Sequence, residues 1–312
     1  MSVQDRSAVV VEAYEAATEG CALVDRSERG KLALTGADAK DFLTGQVTND
    51  IVALTPGTGA YAAFLTPKGK MRGDLRVLDL GDQLLLDCER SVLQDLFDTI
   101  RTTMLGRDVQ LHKRTLQLGL LSLIGPRAAQ VTGTQPGAPE HTCRRDGDTV
   151  VVATDLGVDL FFPAERLEAV RSRAVAAGAV GVDRAVAEIV RVESGRPRYG
   201  LDLDSTVIPQ EAGLNERAVS FTKGCYVGQE TVARLHYKGK PNRHLRGLRL
   251  SAPAPTGTPL LLGEREVGRL GSSVVSPRLG PIALALVRRE ASPGAELAAG
   301  DAVATVVTLP FG

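Results

Sequence analysis

Apolar positions recur along the chain in two rhythms, one helical and one strand-like, and the switches between them mark out its elements. Val10, Tyr14 and Ala17 have helical spacing and predict a lead-in helix within residues 1–20. Leu23 with Val24, then Leu32 with Leu34, read as short strands around the polar turn at 26–30. Gly36, Ala37 and Asp38 precede a helix carrying Ala39, Phe42 and Leu43, with Gly45 as its stop. Thr48 to Ile51 is a turn or the entry to an extended segment, in which Asn49 and Asp50 hydrogen-bond their own backbone. Residues 60–65 lead into the TPKGK turn at 66–70 and a strand in MRGDLRVLDL. There Leu75, Val77 and Asp79 should share one face, and Asp74, Arg76 and Leu78 the other. Gly81-Asp82 signals a hairpin into a strand at 83–87. Val92, Leu93, Leu96, Phe97 and Ile100 form the apolar stripe of a helix over 92–102.

The second half continues both rhythms. Residues 116–125 are strand-like, 133–141 are a surface loop, and 149–153 and 157–162 are extended. Pro163 suits the first turn of a helix that ends near Gly178. Asp183 caps the next helix, whose Val186, Ile189, Val190 and Glu193 fall on one face. Pro197, Gly200 and Pro209 then break the pattern into a long connection. Beyond Gly239-Lys240-Pro241, alternating Leu245, Leu248 and Leu250 and glycine-punctuated short strands predict a small β-barrel-like domain. The expected fold class is α+β. A body spans 1–240, where a break near 133–141 allows two interleaved subdomains, and a C-terminal β barrel spans 241–312.

Composition narrows the classes. Hydrophobic content of 43% with 24% charged residues is that of a soluble globular protein. A formal net charge of zero gives no broad basic field for nucleic acid. With no Trp and 4% aromatics, packing must come from Leu, Val, Ile and Ala. Cys21, Cys88, Cys143 and Cys225 are scattered, without a CxxC pair, which suits a reducing compartment. No signal-peptide pattern or apolar run of spanning length appears, so the expectation is a cytoplasmic protein with no membrane contact. The four histidines are separated and form no HExxH, so no stable metal is expected.

The densest chemistry lies in FTKGCYVGQETVARL, residues 221–235. Gly224 and Gly228 permit tight or left-handed backbone, and Val232 with Leu235 suggests a helix from Gln229. A thiol at Cys225 ahead of that helix and near Lys223 would be activated if exposed. The same residues also fit a glycine-rich turn around a small buried thiol. Lys238, Lys240, Arg243, His244 and Arg246 follow as a modest basic run, read either as a solvated junction or as a tRNA or polyglutamate contact.

KGCYVGQE at 223–230 resembles the signature of the YgfZ-type folate-binding proteins and their mitochondrial iron–sulfur assembly relatives. GADAKDFLTGQVTNDI at 36–51, PKGKMRGDL and RVESGRPRYGLDLD are similar to that family in the same order. The family is related to the aminomethyltransferase of the glycine cleavage system. The resemblance implies a ring-shaped, multidomain aminomethyltransferase-like body with a central tetrahydrofolate cavity and a C-terminal barrel. It also implies support for maturation or repair of iron–sulfur enzymes, including enzymes that modify tRNA.

Carried over residue by residue, Asp74 matches the carboxylate that meets the reactive part of folate and aids aminomethyl transfer. An exposed aspartate on a strand edge is the plainer reading. Glu193 resembles the glutamate that engages the pterin ring, against an internal salt-bridge role. Arg191 would hold the fold or the folate tail. Tyr199 would stack, donate a hydrogen bond or simply be buried. Lys223 would supply positive potential for a folate carboxylate or a thiolate, and Arg234 would grip a carboxylate. Gln229 and Glu230 would fasten the loop. Asp87 departs from the transferases, which carry asparagine there. Cys225 departs too, since the transferase motif generally lacks this cysteine.

Cys225 and Asp74 are therefore the catalytic candidates. Asp74, Glu193, Arg191, Tyr199, Lys223 and Arg234 are the candidate ligands of tetrahydrofolate or a one-carbon derivative. One thiol cannot build a four-cysteine cluster site, so contact with iron–sulfur species would be transient. The expected partners are reduced folate and iron–sulfur client or assembly proteins. The expected function is a folate-binding maturation factor. A folate-dependent aminomethyltransferase and a non-enzymatic folate sensor or scaffold stand as alternatives.

Overall fold

The structure, a computed structural model, describes residues 3–312 and the side chains from Val10 onward. It divides into two compact units. The first takes the chain up to Phe64, Gly73–Ala187 and Thr222–Val227; the second takes Leu65–Arg72, Glu188–Phe221 and Gly228–Gly312.

Strands of the first unit are β1 (Ala22–Asp25), β2 (Gly30–Thr35), β3 (Gly59–Leu65), β4 (Met71–Asp79), β5 (Leu84–Cys88) and β6 (Gln110–Lys113). They continue as β7 (Leu118–Ile124), β8 (Cys143–Asp146), β9 (Thr149–Thr154), β10 (Gly157–Pro163) and β11 (Val180–Gly181). Helices α1 (Val3–Thr18), α2 (Ala39–Gln46), α3 (Leu93–Thr103), α4 (Ala128–Thr132) and α5 (Leu167–Ala176) alternate with them, and α6 (Arg184–Glu193) begins in this unit and continues into the second from Glu188. One sheet has five strands in the order β3-β4-β5-β2-β6, the other six in the order β11-β1-β7-β10-β9-β8. Leu78 and Leu85 of the first sheet share a core with Leu120, Val150, Val152 and Phe161 of the second. The other face of the six-stranded sheet packs Leu121, Leu123 and Val158 with Val170 and Ala174 of α5.

Several expectations need local correction. Gly45 does not stop α2: the helix runs to Gln46 and ends where Val47 turns extended. Pro163 closes β10 and leads a short 3₁₀ turn before α5, rather than sitting in that helix. Asp183 does cap α6, accepting from the Ala185 N–H at 2.8 Å. The two faces of β4 alternate in regular register with β5, but the strand is interior and both faces are covered: Leu75, Val77 and Asp79 on one and Asp74 and Leu78 on the other are all buried. Asp79 tolerates this by pairing with Lys40 at 2.6 Å and accepting from the Gly81 N–H at 2.9 Å.

The second unit holds α7 (Asn215–Ala218), α8 (Gln229–Lys238) and the strands β12 (Arg243–Leu250), β13 (Pro259–Leu262), β14 (Arg265–Ser276), β15 (Gly280–Arg288), β16 (Glu296–Ala299) and β17 (Ala302–Val307). These six strands close into a barrel in the order β12-β15-β14-β13-β16-β17. Leu248, Leu260, Leu270, Val287, Leu297 and Val306 fill its interior. Leu245 is three residues from Leu248 and so points to the opposite side, where it packs with Val192, Leu284 and Phe311. The fold class is α+β with a closed C-terminal barrel.

Candidate functional site

Asp74 sits in the middle of β4. Its carboxylate is buried, and the phenol of Tyr61 on β3 donates to Oδ2 at 2.6 Å. Burial raises its pKa and the Tyr61 hydrogen bond pulls the other way; the result is pushed up to about 6. The strand-edge reading of this residue therefore fails: β4 lies between β3 and β5. Such a carboxyl changes protonation close to neutral pH, which an exposed aspartate does not.

One strand away, Asp87 is the electrostatic opposite. Arg29 grips it with Nε at 2.8 Å and Nη2 at 3.0 Å, while Arg76 adds Nη2 at 2.7 Å. Arg76 also reaches Asp159 on β10 at 2.6 Å, and Asp159 accepts from the Ser122 hydroxyl at 2.6 Å. Burial alone would raise Asp87, but the two guanidiniums hold it far below the ordinary carboxylate range. A carboxylate bound this way stays ionised and is spent on internal pairing. Sequence reasoning missed Tyr61, Arg29, Arg76 and Asp159. Tyr61 carried no usable signal, since parity across a 66–70 loop sets it opposite Leu75 rather than Asp74.

In the signature, Lys223 is buried with its ammonium on the carbonyls of Thr44, Val47 (2.7 Å) and Asn49 (3.0 Å). Burial lowers it to about 8, with Asp50 opposing. Cys225 is exposed, whereas Cys21, Cys88 and Cys143 are buried, which overturns the reading of a small buried thiol. Burial lifts those three thiols to about 11, 12 and 11 respectively.

Of the two glycines, only Gly228 uses its freedom for a left-handed turn. It has φ +85° at the start of α8, and an added Cβ would lie 2.6 Å from the Thr66 carbonyl. A Cβ at Gly224 would meet nothing. The predicted helix starts at Gln229, and Arg234 is exposed on it.

In the second unit, Glu193 is buried at the end of α6. It accepts from the Ser276 hydroxyl, and Arg278 lies 3.9 Å from its other oxygen. Arg191 is committed to Glu188 (2.9 Å), Asp202 (3.1 Å), Ser272 (2.5 Å) and the Arg196 carbonyl. It thereby ties α6 to the 196–202 loop and the barrel. Tyr199 donates to the Met71 carbonyl at 3.4 Å. Among the described residues no group of three or more His, Cys, Asp or Glu is arranged to hold a metal. None of their helices is long and apolar enough to cross a membrane.

Residues 3–136 match the GCVT N-terminal domain and residues 243–311 match the glycine cleavage T-protein C-terminal barrel domain. The tRNA-modifying protein YgfZ of Yersinia enterocolitica is 32% identical over 74% of this chain and 71% of its own. The chain belongs to the GcvT aminomethyltransferase/YgfZ superfamily. An aminomethyltransferase of Rubrobacter xylanophilus is 27% identical, covering 96% of this chain and 85% of that one. The fold matches the crystal structure of the glycine cleavage system aminomethyltransferase T from Bartonella henselae. The TM-score is 0.86 at 22% identity, over 97% of this chain and 89% of that chain. Asp87 is accompanied here by two arginines, buried Arg29 and half-buried Arg76, that neutralise it.

Proposed function

We propose that this protein binds a reduced folate and transfers a one-carbon unit, in the manner of a folate-dependent aminomethyltransferase. Asp74 is the carboxyl that handles the proton of the reacting nitrogen. The observation carrying this reading is the setting of Asp74: buried on an interior strand, fixed by Tyr61 and titrating at about 6. A carboxyl with that affinity is ionised at neutral pH by a modest margin. It can accept a proton from an ammonium or a folate nitrogen and return it. As a carboxylate it also suits a cationic amine through a charge-assisted hydrogen bond.

Glu193 (oriented by Ser276), Tyr199 and exposed Arg234 are the second unit's own candidates for folate contact, and Arg191 holds the loop rather than the folate tail. Relatives that carry the aminomethyltransferase name span nearly the whole chain, which favours this reading over a purely accessory role. Calorimetric titration with tetrahydrofolate tests it. Saturable binding is expected in the wild type, weakened in Glu193→Ala. Absence of binding in the folded wild type rejects the reading.

A second reading is a folate-binding maturation or repair factor for iron–sulfur enzymes, including those that modify tRNA. One observation favours it: Cys225 is the exposed cysteine of the four. A direct tRNA contact through the basic run at 238–246 belongs with this reading. Complementation of a null strain with Cys225→Ala, scored by client iron–sulfur enzyme activity, tests it. Rescue equal to wild type rejects an essential thiol.

A further inference from the structure

The signature segment is held by two pins, and both fall on the end of one helix. The first is Lys223, whose three acceptors are the carbonyls of Thr44, Val47 and Asn49. These lie in the last turn of α2 and just beyond it, where carbonyls lack helical partners and carry the negative end of the helix dipole. The second pin is the Val227 N–H, which donates to the Gly45 carbonyl at 3.2 Å. Lys223 and Tyr226 are buried, with the tyrosine ring 4.7 Å from the ammonium, while Gly224 and Cys225 are exposed. The thiol therefore stands on a short crest with an anchor two residues away on either side.

We propose that Lys223 is a positioning residue: by binding the carbonyls that end α2 it fixes the crest carrying Cys225, and it is not a ligand-binding cation. An ammonium has three N–H donors, and three carbonyls take them. That leaves no donor for a folate carboxylate or for the thiolate, the roles that sequence alone suggested. The functional weight of the crest rests on the second reading above; the pin itself does not.

Two measurements on the full chain test the proposal: alkylation of Cys225 by iodoacetamide and hydrogen exchange of the Val227 amide. In Lys223→Met, Val227 protection should fall roughly tenfold or more while amides of β7 and β10 keep theirs. The Cys225 alkylation rate should change by roughly threefold or more. Lys223→Arg, which keeps cationic donors, should lie closer to wild type. A folded Lys223→Met with both values unchanged overturns the proposal.

The wild type supplies a further test, which stands even if that variant does not fold: with three carbonyl acceptors, the Lys223 Nζ protons should exchange with water far more slowly than those of solvated lysines when followed by NMR, and exchange as fast as theirs overturns the proposal.

Client enzyme activity separates the two ideas. A loosened crest with full activity in both Lys223→Met and Cys225→Ala supports the pin and rejects the thiol reading. A firm crest in Lys223→Met with activity lost in Cys225→Ala does the reverse.

Discussion

The Tyr61 hydroxyl donates to Oδ2 of Asp74 at 2.6 Å, joining neighbouring strands of one sheet through their side chains. Burial and this bond act in opposite directions on the carboxyl, which comes to rest at about 6. Tyr61→Phe removes the lowering influence alone. The Asp74 midpoint should move upward by roughly one unit, read by carbon NMR of the labelled carboxyl. An unmoved midpoint would separate the phenol from the carboxyl's chemistry.

Stability should record the same strain. Unfolded aspartate titrates near ~3.9, so a native value of about 6 means the folded state holds the Asp74 proton more tightly. The contribution of Asp74 to stability then falls as pH rises from about 4 to about 6, and the penalty is complete above that. Asp74→Asn should stabilise the protein by roughly 1–3 kcal/mol at about pH 7 and change little at about pH 4. Urea unfolding at both values checks this; a variant less stable at neutral pH contradicts it.

Asp87 should behave oppositely. Its native pKa is depressed by Arg29 and Arg76, so its contribution is present above the ordinary carboxylate range and is lost only in strong acid. Asp87→Asn leaves the Arg29 and Arg76 guanidiniums short of a counter-charge. The cost should be about 3 kcal/mol, at the low end for a broken buried pair, because Glu89 and Asp159 remain. Thermal or urea unfolding measures it, and a neutral substitution would show that the arginines do not depend on Asp87.

Thiol counting distinguishes Cys225 from its three counterparts. A disulfide reagent should find one reactive thiol in the native protein and four after denaturation, with Cys225→Ala removing the native signal. Rapid reaction at Cys21, Cys88 or Cys143 would contradict their burial and their raised pKa values.

Local signals were legible in the sequence. Gly81-Asp82 between two apolar runs, Asp183 ahead of α6 and the helix beginning at Gln229 are each set by residues within one or two turns. Elements made of polar residues were not. β6 (Gln-Leu-His-Lys) and β8 (Cys-Arg-Arg-Asp) carry no alternation and exist because a neighbouring strand offers them a ladder. The site divides the same way. The motif pointed to Asp74 and Cys225 as residues, but their environments come from distant chain. Asp87 meets Arg29 from 58 residues away, and Lys223 meets the end of a helix 179 residues earlier. No spacing rule reaches that far, so the exposure of the thiol, the burial of the lysine and the neutralisation of Asp87 had to come from the fold.

The central claim is that Asp74 handles a proton during folate-dependent one-carbon transfer. Its most direct test is single-turnover release of ammonia from an aminomethylated carrier protein, with and without tetrahydrofolate, across pH. Wild type should release ammonia only with folate present, with a rate that rises through about pH 6, and Asp74→Asn should lose roughly a hundredfold or more while remaining folded. Folate-dependent release at the wild-type rate in Asp74→Asn, or none from the wild type, would contradict the account.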